Sequence, residues 1–270
     1  LTINKQIVAQ TLYNKSDKIN IKAINNGLKR QNGTFVYVEG QEGDEVDIVT
    51  SVNTLEDLVA SDFAFAVPEN TEFALTSVVS SPKGTKEELS VVKDLIGTFT
   101  TNYKSSGSNR AKNVETGASK LNGVVVYPGD ELSFYKLVNP FTKENGYELA
   151  GSYLNGETVE SFGGGICQVS TTLYNAALEA ELEITQRFNH SMIVTYVDLA
   201  ADAAIAGTYK DLRFKNSYDF PVYVEGVCSN RNITFNIYGV ETRKEGYTFN
   251  FVTEVLETIQ PTTENIIQVE

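Results

Sequence analysis

Two side chains in this sequence stand out as chemistry. One is Cys167, one of only two cysteines, and the other is His190, the only histidine. The cysteine lies in SFGGGICQVSTTLYNAALEAELEI, residues 161–184, where Gly163, Gly164 and Gly165 run into Ile166 and a helical pattern begins at once. A thiol becomes a strong nucleophile when it ionises, and a helix N-terminus lowers its usual pKa of about 8.5. That terminus offers unpaired N–H groups and the positive end of the helix dipole. The glycines let backbone or substrate approach closely. The N–H groups around Ile166 and Cys167 are therefore expected to face a developing oxyanion. Acyl transfer through a thioester needs this combination.

Other readings of the same stretch stay open. A free cysteine is often a buried, inert packing residue. Glycines ahead of a helix can also cradle a phosphate. Here, though, the Lys-Ser/Thr ending of a P-loop is absent, and GGG lacks the GxGxxG spacing.

His190, in RFNHSMIVTY, follows the cysteine by 23 residues. That interval fits a helix, a turn and the start of a strand, so the fold must bring the two groups together. Asp202 and Asp211 are both candidates to orient the imidazole. Arg110, at the start of an expected helix, could clamp a carboxylate through its planar guanidinium. Tyr153, Gln168 and Ser170 flank the cysteine and could line a pocket, although Ser170 could equally bond the first helical turn. One histidine and two distant cysteines make no metal-ligand spacing.

The elements that must hold these residues read as two modules. Residues 1–85 look like a small α+β unit. IVAQTLYNKS and IKAINNGLKR have helical spacing, and TFVYVEG has strand composition. A helix in EGDEVDIVTSVNTLEDLVA is expected to be capped near Asn53 or Thr54. FAFAVPEN and EFALTSVVSS read as strands, and the polar SSPKGTKEEL marks a boundary with a helix starting at Thr85. In the second module, residues 86–240, KEELSVVKDLIGTF is expected to be a short helix and NVETGASKLNG a helix stopping at Gly123. VVVYPGDELSFYKLV reads as two strands about a Pro-Gly turn. HSMIVTYV alternates like a strand, with His190, Met192, Val194 and Tyr196 on one face. A meander of strands follows from LRFKN to NIYG, and residues 241–270 read as an extended tail or linker.

Composition narrows the function. With 270 residues the chain can bury a substantial core. Its formal charge is −13, from 22 Lys and Arg against 35 Asp and Glu, which argues against a nucleic-acid partner. Two cysteines do not form a disulfide framework. No run approaches the ~18 apolar residues of a membrane span. The chain begins at Leu1 without a leader, as expected for a cytosolic protein or one from which a leader or anchor has been removed.

The segments NRAKNVETGASKLNGVVVYPGDELSF, NGYELAGSYLNGETVESFGGGICQVSTTLYNAALEAELEI, RFNHSMIVTYV and YKDLRFKNSYDFPVYV together resemble the VanW domain family. The likeness covers residues 86–240 and is most specific in GGGICQVSTTLYNA. Residues 1–85, chiefly FVYVEGQEGDEVDI, are similar to the peptidoglycan-binding module that often precedes such domains. This resemblance implies a mixed α+β domain with an antiparallel, strand-rich C-terminal half. It also implies an extracytoplasmic, cell-wall-facing protein of Gram-positive bacteria, held by an N-terminal membrane anchor. The family includes peptidoglycan L,D-transpeptidases with a cysteine nucleophile, which join third residues of two stem peptides. The nucleophile then maps to Cys167 and the histidine to His190, with stem peptides and glycan strands as partners and no cofactor. The family often reads Asp-Ala-Thr where this sequence has Asp202-Ala203-Ala204. A non-catalytic wall-binding scaffold and a cysteine peptidase or amidase acting on stem peptides are the alternatives.

Overall fold

The computed structural model describes residues 1–63, 65–154 and 157–259, without the side chains of 153, 154, 157 and 158. It is a mixed α+β fold in which every named strand pairing is antiparallel.

Helix α1 (Lys5–Ile19) opens the N-terminal part. The hairpin β1 (Gly27–Gln31) and β2 (Thr34–Val38) follows, turning at Asn32-Gly33, both with positive φ. The Asn-Gly pair is the chemistry that such a tight turn demands, and it turns the expected helix in IKAINNGLKR into a strand. Next come β3 (Gly43–Val46), α2 (Ile48–Asp62) and β4 (Ser77–Ser80), with β3 paired to β4. The cap of α2 is Asp47, whose carboxylate accepts from the Thr50 N–H, rather than Asn53 or Thr54, which lie inside the helix. FAFAVPEN forms no strand among its described residues, and EFALTSVVSS is a strand only over Ser77–Ser80.

The second part begins with α3 (Lys86–Leu89), capped by Thr85 and Glu88 in a reciprocal capping box, and then β5 (Asp94–Asn102). The expected helix of KEELSVVKDLIGTF therefore ends after one turn. The reason is non-local: β5 pairs along its whole length with β13 (Asn232–Gly239), far away in sequence. Helix α4 (Ser108–Leu121) stops just before Gly123, whose φ of +95° suits the C-terminal exit. Strand β6 (Val124–Val126), the Pro-Gly turn and β7 (Glu131–Ser133) match the expectation. Ser133 then caps a short helix, α5 (Phe134–Val138), where the strand was expected to continue. The hairpin of β8 (Leu149–Leu154) and β9 (Glu157–Phe162) leads to the glycines and α6 (Ile166–Glu179). Strand β10 (Glu183–Gln186) follows α6.

HSMIVTYV, expected as a strand, forms bends without a ladder partner. The expected meander divides between two sheets. Strand β11 (Arg213–Lys215) sits between β10 and β7, while β12 (Val222–Ser229) lies between β13 and β6. No helix or strand occurs from residue 241 to 259, and the rest of the expected tail lies outside the described residues.

The four-stranded sheet β5-β13-β12-β6 is the platform of the fold. Strand alternation sends successive side chains to opposite faces. Val222, Val224, Ile233, Phe235 and Ile237 join the core with Val114 and Leu121 of α4 and Val169 and Leu173 of α6. Each such burial is worth roughly 1.5–3 kcal/mol. Helix α6 lies close on β5 because Gly97 has no side chain; a Cβ there would stand 2.4 Å from the Ala176 carbonyl oxygen. On the other face Tyr223 and Tyr238 pack with Leu28 and Phe35 of the β1–β2 hairpin. Phe35 meets both tyrosine rings edge-on, and Arg30 pairs with Glu225 at 3.1 Å. The N-terminal hairpin is thus seated on the sheet whose opposite face carries α6.

Candidate active site

Cys167 is the second residue of α6, and Gly165 is the helix N-cap, with φ +104°. The glycine loop is held from two sides. Buried Asn113 of α4 accepts from the Glu148 N–H and donates to the carbonyls of Glu148 and Gly164. A Cβ on Gly164 would stand 2.5 Å from the Ala150 carbonyl oxygen, and one on Gly165 would stand 2.8 Å from Arg110 Cγ. Gly163 also has a positive φ, and Phe141 fills the space beside it. Composition alone did not single out Asn113, which reads as an ordinary residue of a polar helix.

The helix mouth is partly satisfied by the protein itself. The Ile166 N–H donates to the Gly163 carbonyl at 3.0 Å, so it is not the free donor the sequence led us to expect. The N–H of Cys167 has no acceptor among the described residues. The Ile166 side chain is buried, with its Cδ1 against Gly117 of α4.

The polar stripe of α6 grips an irregular strap, residues 201–205. Cys167 Sγ accepts from the Ile205 N–H at 3.4 Å and lies 3.6 Å from the Ile205 carbonyl oxygen. Ser170 donates to the Ala203 carbonyl at 2.6 Å, Thr171 accepts from the Ala203 N–H, and Asn175 donates to the Ala201 carbonyl. These four positions lie on one helical face. Ser170 also donates to the Cys167 carbonyl, so its hydroxyl is committed inside the fold.

The same strap holds the imidazole. Asp202 Oδ2 lies 2.6 Å from both the backbone N–H and the ring Nδ1 of His190, and Arg187 pairs with Oδ1 at 3.0 Å. Burial pushes the Asp202 carboxyl up, but the two His190 contacts and Arg187 outweigh it and hold the group below the usual carboxylate range. An ionised Asp202 requires Nδ1 to be the donor, and in the neutral tautomer that this selects the lone pair is on Nε2. Nε2 has no partner among the described residues, and the imidazole makes no hydrogen bond to Sγ. Of the two orienting candidates, Asp202 is the one in contact. Asp211 instead accepts from Ser133, the Tyr135 N–H and Arg213 beside α5.

The surroundings of the thiol are mixed. Burial pushes the Cys167 thiol up, and the nearby carboxylate of Asp202 adds to this; the Ile205 N–H, Arg110 and Lys210 act in the opposite direction. The net direction is upward, so the helix mouth does not by itself yield the thiolate expected from the sequence. Arg110 is the third residue of α4, and its guanidinium donates to Ser106 at 2.6 Å and to Gln168 Oε1 at 2.9 Å. Gln168 is fully buried and donates in turn to Thr101 and the Asn102 carbonyl, so it positions Arg110 rather than facing a pocket. Tyr153 stands on β8 opposite Thr158, and its side chain lies outside the described residues. Tyr196, for which the sequence gave only a face of an expected strand, is half-buried in the loop between His190 and Asp202, and burial pushes its phenol up.

Residues 109–238 match the family model described as VanW like protein, and residues 1–64 match "Putative peptidoglycan binding domain". The chain carries a VanW-like domain. Its glycine loop, α6, His190 and Asp202 all fall within the matched span. The Bacillus subtilis (strain 168) protein YoaR is 35% identical over 143 residues, covering 53% of this chain and 47% of YoaR. Vancomycin B-type resistance protein VanW of Enterococcus faecalis (strain ATCC 700802 / V583) is 31% identical over 117 residues, covering 41% of this chain and 42% of that protein. The matched region thus spans less than half the length of either relative. No solved structure matches the chain. The two matched spans, residues 1–64 and 109–238, follow one another along the chain. Among the described residues, no helix is long and apolar enough to cross a membrane.

Proposed function

We propose that this protein is a peptidoglycan L,D-transpeptidase that works through a Cys167 thioester on the outer side of the membrane. The observation that carries the reading is the shared strap. Ile205 bonds the thiol and Asp202, three residues earlier, orients the imidazole. One short segment thus contacts the thiol and carries the carboxylate that orients the imidazole, and a nucleophile, a base and an orienting carboxylate are the parts that acyl transfer uses.

In this mechanism His190 takes the Cys167 proton, and the thiolate so formed adds to the carbonyl of the third stem residue. The Cys167 N–H donates to the oxyanion. The tetrahedral adduct collapses to a thioester as His190 protonates the departing D-alanine amine. An amine from a second stem then attacks the thioester, with His190 taking its proton. Arg110 is suited to a stem carboxylate, and residues 1–85 would hold the glycan near residues 86–240.

One observation favours a scaffold instead. The thiol is partly buried, its pKa is raised, and its two hydrogen-bond contacts are to Ile205 rather than His190. Incubation with a disaccharide-tetrapeptide, followed by intact-protein mass spectrometry and muropeptide analysis, separates the readings. A transpeptidase gives a Cys167-dependent acyl adduct, free D-alanine and dimers. A stem-peptide hydrolase gives an adduct and shortened monomers only. A scaffold binds glycan, gives neither product, and is unaffected by Cys167→Ala.

A further inference from the structure

We infer that Arg187 is the positioning residue of His190: its guanidinium locks the Asp202 carboxylate in the orientation that aims the imidazole and selects its tautomer. The inference rests on the acyl-transfer reading above and deepens it.

Arg187 follows directly on β10, and its side chain reaches forward to the strap. Nε donates to the Asp202 carbonyl at 2.7 Å. Nη2 donates to Asp202 Oδ1 at 3.0 Å and to the Ala200 carbonyl at 2.8 Å. One rigid plane therefore holds both the main chain and the side chain of Asp202. The carboxylate cannot turn about its own Cα–Cβ bond without breaking that pair of contacts. Oδ1 has no other partner among the described residues, while Oδ2 carries both His190 contacts. The third acceptor sits at a strained point, since Ala200 has a φ of +65°, which residues other than glycine seldom adopt.

The guanidinium is also tied to the helix that bears the nucleophile. Its carbon lies 5.4 Å from the centre of the Tyr174 ring, a cation–π contact, and Tyr174 is a buried residue of α6 two turns on from Cys167. The path of the loop has separate support. The Ala204 N–H donates to the Phe188 carbonyl at 2.7 Å, and side chains of α6 hold Ala201 and Ala203. Those bonds close the base of the loop without touching the Asp202 carboxylate, whose orientation is left to Arg187. A lysine would keep the charge but lose the planar fork, so charge and geometry can be separated.

The test compares wild type with Arg187→Lys in three readouts on the full chain. Because His190 is the only histidine, NMR of the labelled imidazole nitrogens reports its tautomer without ambiguity. Spectra are taken at a pH above which the ring signals no longer change. Wild type should carry the proton on Nδ1, and Arg187→Lys should give a mixture with a large share of the Nε2–H form. The second readout is acetylation of Cys167 by p-nitrophenyl acetate, which forms the thioester and releases p-nitrophenolate. Peptide mapping distinguishes Cys167 from Cys228, and the variant should be slower by about tenfold or more. Urea denaturation is the third. A lowered midpoint with an unchanged tautomer makes Arg187 a merely structural residue and overturns the inference. A variant that matches wild type in tautomer and rate overturns it too, since charge alone would then suffice. If Arg187→Lys does not fold, Tyr174→Leu removes the ring beneath the guanidinium and must shift tautomer and rate in the same directions; no shift overturns the inference. A wild-type Cys167 that is never acetylated overturns the acyl-transfer reading, and the tautomer comparison still decides whether Arg187 sets the ring.

Discussion

His190 presents its backbone N–H and its ring Nδ1 to a single oxygen, Asp202 Oδ2, at 2.6 Å each. One carboxylate therefore fixes both the path of the chain and the tautomer of the ring. Arg187 on the other oxygen keeps that carboxylate ionised and in place.

Asp202→Asn should lower transpeptidase turnover by about 10²-fold or more, because the amide no longer selects the Nδ1–H tautomer. The same group gives a stability signature. Its folded pKa is depressed, so its contribution is full above the unfolded value of about 3.9 and disappears as pH falls through the folded value. The urea midpoints of wild type and Asp202→Asn should therefore differ at pH 7 and converge towards pH 2. A gap that is independent of pH would contradict this assignment.

Lys210→Gln should slow alkylation of Cys167 at pH 8. The lysine charge favours the thiolate, so its loss raises a thiol pKa that burial has already raised. An iodoacetamide rate profile across pH 7–10 reads the shift directly. The variant should alkylate more slowly than wild type at every pH where the thiol is only partly ionised.

Gly164→Ala should destabilise the fold by about 1–3 kcal/mol. The added Cβ would meet the Ala150 backbone, which has no flexible end to move aside. Chemical denaturation measures the cost, and the alkylation rate of Cys167 reports whether the loop shifts.

Asn113→Ala should cost about 3 kcal/mol, since it leaves the backbone groups of Glu148 and Gly164 without their partners. Asn113→Asp is the informative companion. It can keep the bond from the Glu148 N–H but not the two to carbonyls, so it should be destabilised as well. A neutral result for either variant, read by urea denaturation, would remove Asn113 from the support of the loop.

Phe35→Ala should loosen the β1–β2 hairpin from its seat on Tyr223 and Tyr238 and cost roughly 2 kcal/mol. Limited proteolysis should then cut the stretch between β2 and β5 faster than in wild type, with Cys167 alkylation unchanged.

The glycine loop, the start of α6 and Arg110 on its helix were legible because each rests on a local rule. Glycines permit positive φ, a polar and apolar period marks a helix, and a helix mouth has free N–H groups. His190 was legible as a residue but not as a place. HSMIVTYV alternates like a strand, yet it pairs with no strand among the described residues, and His190 is placed instead by Asp202 on the strap that side chains of α6 hold. Ser170, Thr171 and Asn175 are polar residues at helical spacing, which reads as a solvated face until the strap is known to lie over it. Gln168 and Asn113 act across elements whose pairing no short window contains. The short α3 and the long β5 follow the same logic, since the partner strand β13 lies more than a hundred residues away.

The seating of the β1–β2 hairpin sets a length. Its side chains meet one face of the four-stranded sheet, while α6 lies on the other. If the N-terminal domain rests on a glycan strand, the reach from that strand to Cys167 is fixed by the thickness of a sheet and not by the slack of a tether. Such a protein would act as a gauge, admitting stem peptides by where they project from the glycan, and lengthening a linker would leave that choice unaltered.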